Sequence, residues 1–204
     1  MQEACCLIAG PQVRNAATLG GNVAHALPAA DGTIALLCLD VQAELADISG
    51  RRLVPLAELF LGPGKSALMQ NREILVGFHV PLSLSGQGSA FRRIMRLQGI
   101  ALPILNLSAW VERKKDVLTR TRIACGPSGP TPRRLSKTEE LLTGKRLDGT
   151  LLDLALETLL AEVNFRTSPH RATAEYRQDQ AGVLLQEALT SAWDRAGIVA
   201  GGEA

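Results

Sequence analysis

Thr18-Leu19-Gly20-Gly21-Asn22 constrains this chain more than any other stretch. It lies between apolar segments. Two adjacent glycines carry no Cβ, so the backbone there can bend sharply and come close to another group. Two readings stand side by side. Gly and Asn both favour turns, so the stretch can be a tight turn with polar decoration. Its exposed N–H groups, with the Thr18 hydroxyl and the Asn22 amide, can instead form a concave cradle for phosphate oxygens. Asp31, a little further on, would then accept hydrogen bonds from a sugar hydroxyl.

The 204 residues suffice for one large or two small domains with a proper core. Aromatic residues are only 3%, so that core must be aliphatic. A net charge of +2 gives no case for bulk attraction to nucleic acid. No apolar run is long enough to span a bilayer. No basic segment followed by an apolar stretch marks a secretory signal, so a cytoplasmic location is the default expectation. The four cysteines, Cys5, Cys6, Cys38 and Cys125, form no C-x-x-C and have no His at ligand spacing, which offers no iron–sulfur or other metal site. Cys38 and Cys125 read as small buried apolar residues.

In chain order, Met1 to Ile8 reads as helix ended by Gly10-Pro11. Thr33 to Leu39 is a continuous apolar run, read as a short buried helix after Pro28, Asp31 and Gly32. Val41, Ala43 and Leu45 alternate with Gln42, Glu44 and Ala46, a half-buried strand, and Ser49-Gly50-Arg51 turns it into a second strand. Leu56 to Phe60 is a helical turn. Gly64-Lys65-Ser66 hints at a phosphate loop, but Leu59 stands where that motif needs its first Gly, so a surface loop is expected. Glu73 to Pro81 is a strand on which His79 is a surface residue. The Gly/Ser-rich stretch 82–89 marks the domain boundary. Strands follow at Ala90–Arg96, Pro103–Val111 and Val117–Ala124, forming a small antiparallel sheet. Three helices complete the chain. The first runs from Ser136 to Leu142, with a Ser136–Glu139 capping box and Glu139-Glu140 on a charged face. The second, amphipathic, spans Leu151 to Val163. The last spans Ala172 to Ala196 and is expected to break near Gly182. The arginines preceding and opening it read as an ionic surface or docking face, and Gly201–Ala204 should fray.

Several stretches occur together and in order. Ile8 to Ala17 leads into Thr18–Asn22, and Pro28-Ala29-Ala30-Asp31 follows. Glu73-Ile74-Leu75, Ala90-Phe91, Pro130-Thr131-Pro132 and the pattern from Arg166 and Ser168 through Arg171-Ala172 to Tyr176-Arg177 come after. This succession resembles the FAD-binding medium subunit of molybdenum hydroxylases, the flavoprotein family of xanthine dehydrogenase and CO dehydrogenase. The resemblance implies an α+β fold. Residues 1–83 would be the second lobe of a PCMH-type FAD-binding domain. Residues 89–197 would be a CO dehydrogenase flavoprotein C-terminal-like domain, a small antiparallel sheet plus a helical bundle. The family's N-terminal lobe, with its Gly-Gly-Thr-Asp type loop, has no counterpart in this sequence, so the chain resembles a family member without that lobe.

The resemblance further implies FAD as cofactor. Ile8, Thr18, Leu19, Gly20, Gly21, Asn22, Asp31, Leu75 and Arg92 would hold it: the glycine loop on the pyrophosphate, Asp31 on the adenosine side, Leu75 and Arg92 near the flavin. Arg92 stands where the family has lysine, and Gly99-Ile100-Ala101-Leu102-Pro103 departs from the family's Gly-Asp-Phe-Ala. The implied partners are a molybdopterin-binding large subunit and a 2Fe-2S small subunit, with NAD or another electron acceptor. No side chain need act as nucleophile. The alternative is a non-catalytic interaction module that docks to those partners. One glycine loop satisfies only part of a pyrophosphate, and each lost charge-assisted hydrogen bond weakens binding by about 1.5–3 kcal/mol.

Overall fold

The computed structural model describes residues 1–96 and 102–197. The departure at Gly99-Ile100-Ala101 and the fraying expected at Gly201–Ala204 lie outside the described residues. Four helices come first: α1 (Gln2–Leu7), α2 (Pro11–Ala16), α3 (Leu19–Ala24) and α4 (Asp31–Cys38). Strands β1 (Gln42–Asp47), β2 (Gly50–Pro55) and β5 (Ile74–His79) form an antiparallel sheet in the order β2-β1-β5. Between β2 and β5 lie a 3-10 turn, Leu56–Leu59, and a hairpin of β3 (Phe60–Gly62) and β4 (Lys65–Ser66). The second half holds β6 (Gln87–Met95), β7 (Pro103–Lys114), β8 (Val117–Gly126) and β9 (Arg133–Arg134) in sequential antiparallel order, then α5 (Ser136–Leu142), α6 (Gly149–Glu162) and α7 (Ala174–Gly197).

The four-stranded sheet is the shared wall of two cores. On one face Ala90, Leu105, Leu107, Ile123 and Cys125 meet α5, α6 and α7. On the other face Phe91, Trp110 and Ala124 meet α4 and the first sheet. A strand buried on both faces reads as an unbroken apolar run, because neither set of alternating side chains meets water. β7 fits that rule: Pro103 to Val111 is buried throughout. Residues 82–86 carry no strand or helix, whereas 87–89 already belong to β6, and the segments of sequence on either side have cores that press on the same sheet.

α4 is buried at all eight positions, as its apolar sequence demands. Asp31 opens the helix, where a carboxylate complements the helix dipole. β1 buries Ala43 and Leu45 and exposes Gln42, the expected alternation. The Gly64-Lys65-Ser66 stretch is a hairpin tip, with Gly64 at φ 67°. His79 is a surface residue on β5 and lies 3.2 Å from Glu44. Cys38 and Cys125 are fully buried, and burial pushes both thiols up to about 12.

Three local expectations are corrected. The Ser136–Glu139 capping box does not form, because the helix begins one residue earlier in register. Leu135 is the N-cap and Ser136 is already helical. Glu139 is not on a charged outer face but 8% exposed. Its carboxylate accepts the Ile123 amide at 2.8 Å and pairs with Arg134 at 2.6 Å. α7 does not break at Gly182. That glycine lies against Leu156, where a Cβ would stand 3.0 Å from Cδ2.

α1 is tied to the C-terminal half through Glu3. Its carboxylate accepts two hydrogen bonds from Arg195, at 2.5 and 2.9 Å, and the Phe91 amide at 3.2 Å. The Arg195 hydrogen bond chiefly holds the Glu3 carboxyl below its ordinary 4.5. A lowered carboxyl stabilises the fold above the unfolded value and loses that contribution as pH falls through the folded one. The pair is partly exposed, so the contribution is small, about 0.5–1 kcal/mol. Urea denaturation of the native chain and Glu3→Gln should differ by that much in unfolding free energy at neutral pH and converge in acid, once pH has fallen below the lowered carboxyl value. A gap that persists in acid would contradict the assignment.

Candidate functional site

The Gly20-Gly21 stretch is not a loop but the first turn of α3. Thr18 is the N-cap, and its hydroxyl accepts the Gly21 amide at 2.9 Å. Two glycines are poor helix formers, which hid the helix in the sequence. The Thr cap was the signal that could have shown it. Likewise Pro11 stands at the start of α2, where its missing N–H costs nothing. In α3 the Leu19 and Gly20 amides open the helix, where no intrahelical acceptor exists.

The short helices are held in place by backbone contacts that sequence spacing does not reveal. Arg14 reaches back from α2 and donates to the carbonyls of Ile8 and Ala9, at 2.9 and 2.6 Å. The Asn22 side chain accepts the Thr33 amide at 3.3 Å and so pins α3 to α4. Gly32 makes that approach possible: a Cβ there would lie 2.5 Å from Leu19 Cδ1 and 2.9 Å from Asn22 Oδ1. Leu75 on β5 backs Gly20, with its Cδ2 3.9 Å from where a Gly20 Cβ would be.

A cleft of about 1150 Å³ opens beside α3. Ile8, Gly21, Asn22 and Asp31 line it from the N-terminal half, and Gly21 is exposed there. From the C-terminal half it is lined by Pro127, Gly129 and Pro130 of the turn after β8 and by Arg166, Arg171 and Arg177. Its walls are largely apolar with a few convergent polar groups, the usual make-up of a small-molecule site. Thr18, Leu19, Gly20 and Leu75 are not among the residues that line it.

Asp31 is 4% exposed and accepts from Asn106 Nδ2 at 2.7 Å through one oxygen. Its other oxygen pairs with Arg93, whose side chain is 2% exposed. Burial outweighs these two partners and holds the Asp31 carboxyl above its ordinary value. Neither partner was anticipated. A lone Asn in the apolar strand Ile104–Val111 was the available signal, since a buried amide needs a polar partner.

Arg92 is placed elsewhere. It donates to Ser191 on α7 at 2.5 Å and lies 3.6–3.7 Å from Glu187 and Glu3. Adjacent strand residues face opposite sides of a sheet. Arg93, next in β6, is therefore the one that lines the cleft. The arginines 166, 171 and 177, read from sequence as an ionic surface, line the cleft as well, and Arg177 is 2% exposed. Among the described residues no group of three or more His, Cys, Asp or Glu is placed to hold a metal, and no helix is long and apolar enough to cross a membrane.

The chain is mixed α/β, and its two halves share a sheet and together line a cleft of apolar and cationic character, the make-up of a cofactor or nucleotide site. Residues 1–83 match the family model described as the FAD binding domain in molybdopterin dehydrogenase. Residues 89–192 match that of the CO dehydrogenase flavoprotein C-terminal domain. The xanthine dehydrogenase FAD-binding subunit of Escherichia coli O157:H7 is 31% identical over 191 residues, covering 93% of this chain and 65% of that protein. The carbon monoxide dehydrogenase medium chain of Hydrogenophaga pseudoflava is 30% identical over 195 residues, covering 96% of this chain and 67% of that one. A solved structure of the Hydrogenophaga pseudoflava enzyme superposes with a TM-score of 0.87 over 95% of this chain and 66% of its own. The chain belongs to the FAD-binding medium-subunit family of the molybdenum hydroxylases. It spans about two thirds of the length of these relatives.

Proposed function

We propose that this chain is an FAD-binding electron-transfer component of a molybdenum-containing hydroxylase, placed in the cytoplasm. FAD held in the cleft would supply the redox chemistry, a relay between the iron–sulfur centres of a small partner subunit and NAD or another acceptor, and substrate hydroxylation would fall to a molybdopterin-binding large subunit. The chain's own residues bind, orient and shield. Ile8, Gly21, Asn22 and Asp31 face the ligand. Thr18, Leu19, Gly20 and Leu75 fix the shape of the wall behind them.

One observation carries this reading. The cleft gathers Ile8, Gly21, Asn22 and Asp31 onto a single lining with room for a dinucleotide. Its Gly21 wall is exposed and bears no Cβ, so a ligand can come within contact of the backbone. Asp31 has both oxygens engaged, yet a carboxylate carries about four lone-pair sites and can accept from a sugar hydroxyl as well. Arg92 lies on the α7 face of β6, so the guanidinium nearest the cofactor in this reading is that of Arg93.

The test is titration of the purified chain with FAD, followed by flavin fluorescence and absorption. Saturable one-to-one binding is expected. A folded chain indifferent to FAD would overturn the proposal and leave the docking-module reading in its place.

A further inference from the structure

The cleft concentrates positive charge beyond what Asp31 can offset. Four guanidinium groups, from Arg93, Arg166, Arg171 and Arg177, line it against the single carboxylate of Asp31, a formal +3 with His25 neutral. The whole chain carries only +2. The charge of this protein is therefore gathered at one place, and the remainder is slightly acidic.

Arg177 is the most telling of the four. It sits in the first turn of α7, 2% exposed, and its Nε has no hydrogen-bond partner among the described residues. Neither it nor Arg166 or Arg171 makes an ion pair with a described carboxylate. Burial, then the nearby charges of Arg171 and Arg166, hold the Arg177 guanidinium below its ordinary range. An arginine nonetheless stays charged. A buried cation among like charges is costly unless an anion completes the group.

We propose that Arg177, Arg171 and Arg166 form a site on the C-terminal wall of the cleft for the phosphoryl oxygens of a nucleotide. Guanidinium forks match the several oxygens of a phosphate or diphosphate, and three of them exceed what a single carboxylate can engage. The large apolar cleft beside them has room for the organic part of such a ligand. This deepens the FAD reading, because FAD carries a diphosphate, but the site itself does not require a flavin.

The experiment uses the purified chain with inorganic pyrophosphate and with ADP, by titration calorimetry, with riboflavin as a ligand lacking phosphate. Pyrophosphate and ADP should bind saturably and more weakly as salt is raised. Arg171→Gln, at the half-buried rim, should weaken both by roughly tenfold or more and leave riboflavin unaffected. Arg177→Lys keeps the buried charge but loses the fork, and should weaken them by a similar factor in a folded protein. Failure of the native chain to bind either probe at millimolar concentration overturns the site, as do two variants that bind like the native chain. Pyrophosphate bound where FAD is not would uphold the site and reject the flavin. FAD bound equally well by the native chain and Arg171→Gln would reject the site and uphold the flavin.

Discussion

Asp31→Ala is expected to lower the unfolding free energy by about 3–5 kcal/mol, the cost of removing one member of a buried ion pair. The carboxylate is 4% exposed, and its partners are fixed by other elements: Arg93 on β6 and Asn106 on β7. Burial holds the carboxyl above its ordinary value despite those partners, so the pair as a whole is no great source of stability. The cost arises when one charge is taken and the other stays. Asp31→Asn keeps the shape and some of the hydrogen bonds and should cost clearly less. Urea denaturation of the three proteins checks this. An alanine variant within about 1 kcal/mol of the native chain would contradict the assigned pairing.

Gly88→Ala is expected to be nearly as damaging, about 3 kcal/mol or more, because the obstruction is backbone and cannot turn aside. A Cβ at residue 88 would stand 2.1 Å from the Ala192 carbonyl oxygen and 2.5 Å from the Ala196 amide nitrogen. β6 and α7 touch there without a side chain between them. α7 presents Ala181, Ala188, Ala192 and Ala196 to the sheet, so its approach is close along its length. Accommodating the methyl means lifting the helix off a core that includes Leu185 and Leu189. Thermal unfolding should show the loss. By contrast Gly149→Ala, where a Cβ meets nothing within 4 Å, should be nearly neutral. Equal behaviour of the two variants would contradict the packing described.

These two positions also mark where sequence reading stops. The buried run Thr33–Leu39, the alternation in Val41–Leu45 and the strands on either side of Lys114-Lys115-Asp116 were legible, because periodicity and turn chemistry act over a few residues. The family motifs supplied the α+β architecture with its sheet and helices. What was not legible depends on contacts distant in sequence. Asp31 meets Arg93 and Asn106 only because α4 lies across the sheet. Glu139 was read as surface because its acceptor role toward Ile123 belongs to a different element. Arg92 and Arg93 are neighbours in sequence, and only strand pleating decides which one enters the cleft. Arg166, Arg171 and Arg177 were seen as a cluster, but nothing local shows that the cluster faces the wall bearing Gly21.

The central claim is that the cleft wall bearing Gly21 and Asn22 receives FAD. Backbone amide chemical shifts of the isotopically labelled chain, followed during an FAD titration, address it most directly. The account predicts one-site saturation, with the largest changes at Gly21 and Asn22 and further changes at Ile8 and Asp31. Unchanged amides at those positions, in a chain that remains folded with FAD in excess, would contradict it.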